Sequence, residues 1–234
     1  MKVLGIDTST MTASCAVLDG DTLLGEYSIN QELTHSESLV PMISEMLDNL
    51  KLHISDIDIY GVATGPGSFT GLRIGVATMK AFAHIFDKPI VGVSTLEGLA
   101  LNLTHSGIIV PMIDARRDRV YTGIYRWKQS RLENILEPCI MNIERLSEIL
   151  DKNDDDIMIN GNGVRQYGDR LLEVLKSRVK IAPAGLRECR AASIAELSLL
   201  NRDVYNRDDY YNLIPTYLKE SQAQVEFNRK ESGS

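Results

Sequence analysis

The spacing of apolar positions changes along the chain from a period of two to a helical period and back, and these changes lay out the elements. Apolar or alternating runs at residues 2–6, 13–18 and 22–29 predict three strands, with Asp19-Gly20-Asp21 as a hairpin turn. The chain therefore opens with an antiparallel meander. From residue 36 to residue 50 the period lengthens. Leu39, Met42, Ile43, Met46, Leu47 and Leu50 recur at spacings of three and four and share one helix face. Thr34 and Glu37 have capping-box spacing, and Pro41 falls near the first turn, where its missing N–H costs least. A strand (57–63), a helix (71–86), a strand (89–93) and a helix (95–103) follow, the order expected of parallel strands joined by crossover helices. After Thr104-His105-Ser106-Gly107 the pattern restarts. Strands are predicted at 108–113, 119–127, 132–142 and 157–160. Helices are predicted at 143–150, 164–176 and 191–206, and a short extended piece at 216–218. The expected protein is α/β with two lobes and mixed sheets. Residues 1–104 form the first lobe, and residues 105–218 the second, its last helix able to pack back on the first. The polar tail, 219–234, is expected to be disordered.

The stretch Gly61-Val-Ala-Thr-Gly-Pro-Gly-Ser-Phe-Thr-Gly-Leu-Arg-Ile-Gly75 joins the fourth strand to the second helix. Its closely spaced glycines, Gly65, Gly67, Gly71 and Gly75, mean that the backbone turns tightly or lets something approach. Ser68 and Thr70 supply N-cap oxygens. A loop opening into a helix N-terminus can hold an anion or a partner's backbone. Residue types alone fit a tight packing connection as well. The loop is not a P-loop, because Leu72 rather than lysine follows Gly71. Nor is it a dinucleotide fingerprint, being one residue too long. In the helix, Gly71, Gly75, Ala77, Ala81 and Ala83 leave little side-chain volume, and Gly71 and Gly75 share a face. A helical glycine costs about 0.5–1 kcal/mol relative to alanine. Close approach of another helix, or of the chain's own sheet, would offset that.

Composition narrows the function classes. The chain has 234 residues, 44% hydrophobic and 24% charged, which fits an ordinary globular core. A net charge of −7 argues against nonspecific nucleic-acid binding and for basic partners. Cys15, Cys139 and Cys189 are scattered and form neither a disulfide framework nor a zinc pattern, so reduced thiols are expected. No signal peptide or bilayer-length apolar run is visible, which predicts a cytoplasmic location.

Three groups of residues could carry chemistry. Asp7-Thr8-Ser9-Thr10 ends the first strand, either as a weak or relic nucleotide site or as an Asx or Ser/Thr turn. Asp114 could be an acidic site residue of the second half, or could pair with Arg116, Arg117 or Arg119 beside it. His35 and Ser36 suggest a nucleophile and its base, but no orienting acid can be assigned, and a polar helix start explains His35 as well.

Several motifs point to one family. Gly5-Ile6-Asp7-Thr8-Ser9, His35-Ser36-Glu37, Gly65-Pro66-Gly67-Ser68-Phe69-Thr70-Gly71-Leu72-Arg73, Met112-Ile113-Asp114-Ala115-Arg116, Gly161-Asn162-Gly163 and Pro215-Thr216-Tyr217-Leu218 together resemble the TsaB (YeaZ) family. The two α/β halves resemble the actin-like (acetate kinase–sugar kinase–Hsp70–actin, ASKHA) architecture. The resemblance implies a scaffold and activator for threonylcarbamoylation of the adenosine next to the anticodon, in tRNAs reading codons that begin with A. It implies a heterodimer with the catalytic paralogue TsaD, a homodimer when TsaD is absent, contact with the ATPase TsaE, and tRNA only through the complex. Another enzyme supplies threonylcarbamoyl-AMP. No cofactor is expected to be held tightly, with ATP or ADP entering at the complex, and no membrane is involved. Thr95 and Leu99 stand where TsaD carries its H-x-x-x-H metal motif, and neither is a suitable ligand, so no metal site and no catalytic residue are expected. The same resemblance places the partner interface on two helices, at Leu39, Met42, Ile43 and Met46 and at Gly71, Arg73, Ile74, Gly75, Thr78 and Phe82. A nucleotide would meet Asp7, Thr8, Ser9, Gly65 and Gly67. The rival readings are an actin-like ATP-dependent kinase or acyltransferase, and a peptidase acting on the paralogue.

Overall fold

The structure, a computed structural model, describes residues 1–30, 35–152, 154–204 and 211–218. β1 (Lys2–Asp7), β2 (Thr12–Asp19) and β3 (Thr22–Asn30) form the antiparallel meander. β4 (Ile59–Gly65) pairs parallel with β1, and β5 (Ile90–Ser94) with β4, giving the order β3-β2-β1-β4-β5. The second sheet repeats this plan. β6 (Ile108–Asp114), β7 (Arg119–Lys128) and β8 (Arg131–Asn142) are the meander. β9 (Ile157–Asn160) and β10 (Val179–Ile181) extend it in parallel from β6. Val179-Lys180-Ile181 is too short a run to show a period, so β10 was not foreseen.

The alternation of side chains in β1 decides what each face of the first sheet buries. Leu4 and Ile6 point to α1 (His35–Leu50) and α2 (Phe69–Phe86), meeting Met46, Ile43 and Met79 in one core. Val3 points the other way, into a core with Ile194, Ala195 and Leu197 of α6 (Ala191–Leu200). Helix α6 is thus apolar on nearly every side and buried against sheet one, although it follows the second lobe in sequence. Its first turn lacks a cap of its own. Glu26 of β3 supplies one, accepting the Ala192 N–H at 3.0 Å and the Arg190 guanidinium. α4 (Ile143–Asp151) and α5 (Val164–Leu175) pack into the core of the second sheet. α3 (Thr95–Leu101) lies between the lobes against β6, β7 and α6.

The last predicted helix ends at Leu200, followed by a short 3-10 turn at Arg202–Val204. Residues 205 and 206 of that prediction, the capping residue Thr34 and the predicted tail 219–234 lie outside the described residues. Among the described residues, no helix is long and apolar enough to cross a membrane.

Candidate functional site

The ends of β1 and β6, the glycine-rich loop and the segment 211–218 meet between the lobes. Asp7, at the end of β1, is wholly buried on the α6 side. Its Oδ1 accepts the Ser9 N–H at 2.8 Å and the Ser9 hydroxyl at 2.6 Å, which is an Asx turn. Its Oδ2 has no hydrogen-bond partner. Burial pushes the carboxyl up to about 6, although the Ser9 hydrogen bonds oppose the shift. Cys189 is buried beside it, its Sγ 3.7 Å from Ser9 Oγ, and burial raises that thiol well above its ordinary value. A protonated, enclosed thiol is a packing residue rather than a nucleophile.

Thr8 points to the opposite side and donates its hydroxyl to the Gly71 carbonyl at 2.8 Å. The start of α2 lies directly on the β1 loop. A Cβ on Gly71 would stand 2.0 Å from the Thr8 carbonyl oxygen, and one on Gly75 would stand 2.4 Å from Thr8 Oγ1. The Ser68 N–H donates to the Ser9 carbonyl at 2.6 Å, and a Cβ on Gly67 would stand 2.3 Å from that same oxygen. Ser68 caps α2 by accepting the Gly71 N–H, whereas Thr70 sits within the first turn. Gly65, at φ 120°, lets Thr216 approach, and the Thr216 N–H donates to the Thr64 carbonyl at 2.7 Å.

What remains open is a cleft of about 410 Å³. The first lobe lines it with Ser9, Thr10, His35, Gly67, Ser68 and Phe69, the second with Asp114, Arg116, Tyr121 and Asn162, and the C-terminal segment with Thr216 and Tyr217. Of the five nucleotide candidates, Ser9 and Gly67 line the cleft. Asp7, Thr8 and Gly65 lie behind it, committed to the fold. At its rim the Arg73 guanidinium sits 3.8 Å above the Phe69 ring and donates through Nε to the Tyr217 hydroxyl at 3.0 Å. Phe69 and Tyr217 themselves stack at 4.6 Å.

Of the two readings of Asp114, the ion pair with its arginine neighbours does not form. Its Oδ1 accepts the Arg116 backbone N–H at 2.8 Å and the Tyr167 hydroxyl at 3.3 Å, and its own N–H donates to Asn162. The chain turns left-handed after Ala115, at Arg116, Arg117 and Asp118. Asn162 and Tyr121 were not foreseen as lining residues. Gly161-Asn162-Gly163 was visible as a motif, but nothing in the sequence said that its amide would clamp β6. His35 begins α1 with Nε2 2.7 Å from the Thr10 carbonyl oxygen, so this ring nitrogen ties helix to loop and is not aimed at Ser36.

The predicted interface residues divide. Leu39, Met42, Ile43 and Met46 are at most 4% exposed and belong to the core under α1. Gly71 and Gly75 are spent on Thr8. All six are buried within the chain, the four of α1 against its own sheet. Arg73 is exposed, and Ile74, Thr78 and Phe82 are half-buried. The outward face is made instead by Val40, Pro41 and Ser44 of α1 with Arg73, Ala77, Ala81 and Ile85 of α2. Among the described residues no group of three or more His, Cys, Asp or Glu side chains could hold a metal ion.

The family model described as "TsaD: tRNA N6-adenosine threonylcarbamoyltransferase" matches residues 22–227. The tRNA threonylcarbamoyladenosine biosynthesis protein TsaB of Bacillus subtilis is 33% identical over 228 residues, 97% of this chain and 98% of that protein. The chain belongs to the TsaB (YeaZ) family. The structure of YeaZ from Pseudomonas aeruginosa superposes with a TM-score of 0.75 at 25% identity, covering 93% of this chain and 99% of that one. The fold is the actin-like one. The ethanolamine utilization protein EutJ of Carboxydothermus hydrogenoformans shares it at a TM-score of 0.50 and 14% identity, over 83% and 89% of the two chains.

Proposed function

We propose that this chain acts in tRNA threonylcarbamoyladenosine biosynthesis as a non-catalytic scaffold and activator, the partner of a TsaD-type paralogue that modifies the adenosine next to the anticodon. Family membership over nearly the whole chain supports the pathway. The observation that carries the partner role is the outward face of α1 and α2. Helix α1 contains Glu37, Glu45 and Asp48 and no lysine or arginine; α2 contains Arg73, Lys80 and His84 and no acid. Arg73 and Lys80 are bonded to the C-terminal segment, so the outward face offers a partner the acidic edge of α1 and the small or apolar Val40, Ala77, Ala81 and Ile85, a surface on which a helix pair of the partner can lie. A second copy presents the same pattern, so homodimer and heterodimer compete for one face. Thr95 and Leu99, at the positions of the paralogue's metal histidines, are both buried, which supports a supporting rather than a catalytic role. ATP and the ATPase TsaE belong to the assembled complex in this reading. Asp7 is enclosed and bonded to Ser9, which disfavours a phosphoryl-transfer site in the isolated chain. The His35 geometry disfavours a peptidase.

Size-exclusion chromatography with light scattering tests the partner role. The chain alone should run as a dimer and should shift to a mixed complex when its TsaD paralogue is added. Ala77→Arg places a charge in the middle of the outward face without touching the core, and should weaken the mixed complex a hundredfold or more, a loss of at least about 2.7 kcal/mol. A chain indifferent to the paralogue, or an Ala77→Arg protein that binds it unchanged, would remove this reading.

A further inference from the structure

We propose that the turn between β6 and β7 binds single-stranded RNA. Arg116 and Arg117 would hold backbone phosphates, and an unstacked base would lie against the aromatic rim of the cleft. For which RNA this is, a tRNA anticodon loop, the inference rests on the reading above.

Four observations carry it. First, Arg116 and Arg117 are exposed, and neither guanidinium has an ion-pair partner among the described residues, whereas most of the chain's other arginines are bonded. Second, the one acid within the turn is already committed, since Asp118 accepts Arg170 at 3.1 Å. Asp114 beside the turn is committed as well, to Tyr167 and to the Arg116 backbone. Third, Arg116, Arg117 and Asp118 all adopt left-handed φ angles, 61°, 57° and 55°. Successive L-residues rarely do so, and such conformations persist where the surrounding structure enforces them, commonly at binding sites. Fourth, Arg116 borders the cleft together with Tyr121, Phe69 and Tyr217, and Arg73 stacks on Phe69.

Cations next to aromatic rings at the rim of a groove are the composition that grips single-stranded nucleic acid: phosphates on the arginines, bases on the rings. The cleft volume suits a nucleoside-sized group. An acidic protein surface would use the guanidiniums and could pack on the rings, but flat bases use the rings and the cleft together, so RNA is the better match. The net charge of −7 describes the whole chain and hides this local patch.

Fluorescence anisotropy with the full chain tests the proposal, using an anticodon stem-loop RNA and a blunt RNA duplex over a salt series. The unmodified chain should prefer the stem-loop. R116Q/R117Q should weaken it tenfold or more at low salt and flatten the plot of log affinity against log salt by about 1.4, two phosphate contacts on a single strand. R116K/R117K, which keeps the charges, should retain most of that slope and guards against a folding defect. Tyr217→Leu should weaken the stem-loop about tenfold and leave the duplex unchanged. No stem-loop binding by the unmodified chain at low salt overturns the proposal, as does unchanged affinity in R116Q/R117Q. Loss of paralogue binding instead of RNA binding in that variant would assign the turn to an acidic protein and also overturn it. If RNA binding depends on the turn while cells lacking the chain keep their modified adenosine, the pathway reading fails and this contact stands.

Discussion

Gly71→Ala is expected to destabilise the protein by about 3 kcal/mol or more, as much as deleting a large core side chain. The added methyl would meet the Thr8 carbonyl oxygen at 2.0 Å, a backbone atom at the end of β1 that cannot rotate away. Either α2 lifts from the sheet, opening the core under Leu72 and Val76, or the β1 loop moves and the Thr8–Gly71 hydrogen bond breaks. In a chain of this length a loss of that size lowers Tm by roughly 6–12 °C. Gly75→Leu should act in the same direction, because its side chain would displace Thr8 Oγ1. It therefore cannot serve as a probe of partner binding, whereas Ala77→Arg can. Urea denaturation measures the effect. A Gly71→Ala protein with an unchanged midpoint would mean that the small residues of α2 do not serve the chain's own sheet.

Asp7→Asn is expected to raise stability at neutral pH by up to about 2 kcal/mol. The Asp7 carboxyl is raised in the folded state to about 6, above its unfolded value of 3.8, because burial penalises its charge. A raised carboxyl binds its proton more tightly in the folded protein than in the unfolded one. Its contribution is therefore fully present below about pH 4 and is lost as pH rises through about 6. At pH 7 and above the protein carries the full cost of a buried charge with one oxygen unpartnered. Asparagine removes the charge and can still accept the Ser9 hydrogen bonds, although its amide N–H₂ would lack a partner and reduce the gain. Thermal melts of both proteins from pH 4 to pH 8 should converge at the acid end and separate at the neutral end, with Asp7→Asn the higher. A variant less stable at pH 8 would show that the carboxylate has a compensating partner.

The sequence showed periodicity better than it showed destinations. The alternation in β1 and the three-and-four spacing in α1 were plain, and both elements formed within a residue or so of their expected ends. What the spacing of Leu39, Met42, Ile43 and Met46 could not say is what they pack against. An apolar stripe looks the same whether it faces a sheet of its own chain or another molecule. The small residues of α2 were ambiguous for the same reason. The exposed positions Ala77 and Ala81 stand out only as part of the small-residue run, because alanine on an exposed face carries no signal of its own. Long-range polar clamps were wholly hidden. Glu26 capping α6 joins positions 166 residues apart, and Asn162 holding Asp114 joins positions 48 apart. No local pattern encodes such pairs. The cleft was half legible: Ser9, Gly67 and Arg116 stand in motifs, whereas Tyr121, and the meeting of all of these in one cleft, needed the second lobe folded against the first.

The central claim is that this chain supports tRNA threonylcarbamoylation through the outward face of α1 and α2. The most direct test is nucleoside mass spectrometry of tRNA from cells depleted of the chain and resupplied with either the unmodified protein or Ala77→Arg. Depletion should remove threonylcarbamoyladenosine, the unmodified chain should restore it, and Ala77→Arg, folded but unable to dock, should not. Unchanged threonylcarbamoyladenosine after depletion, or full restoration by Ala77→Arg, would contradict the account.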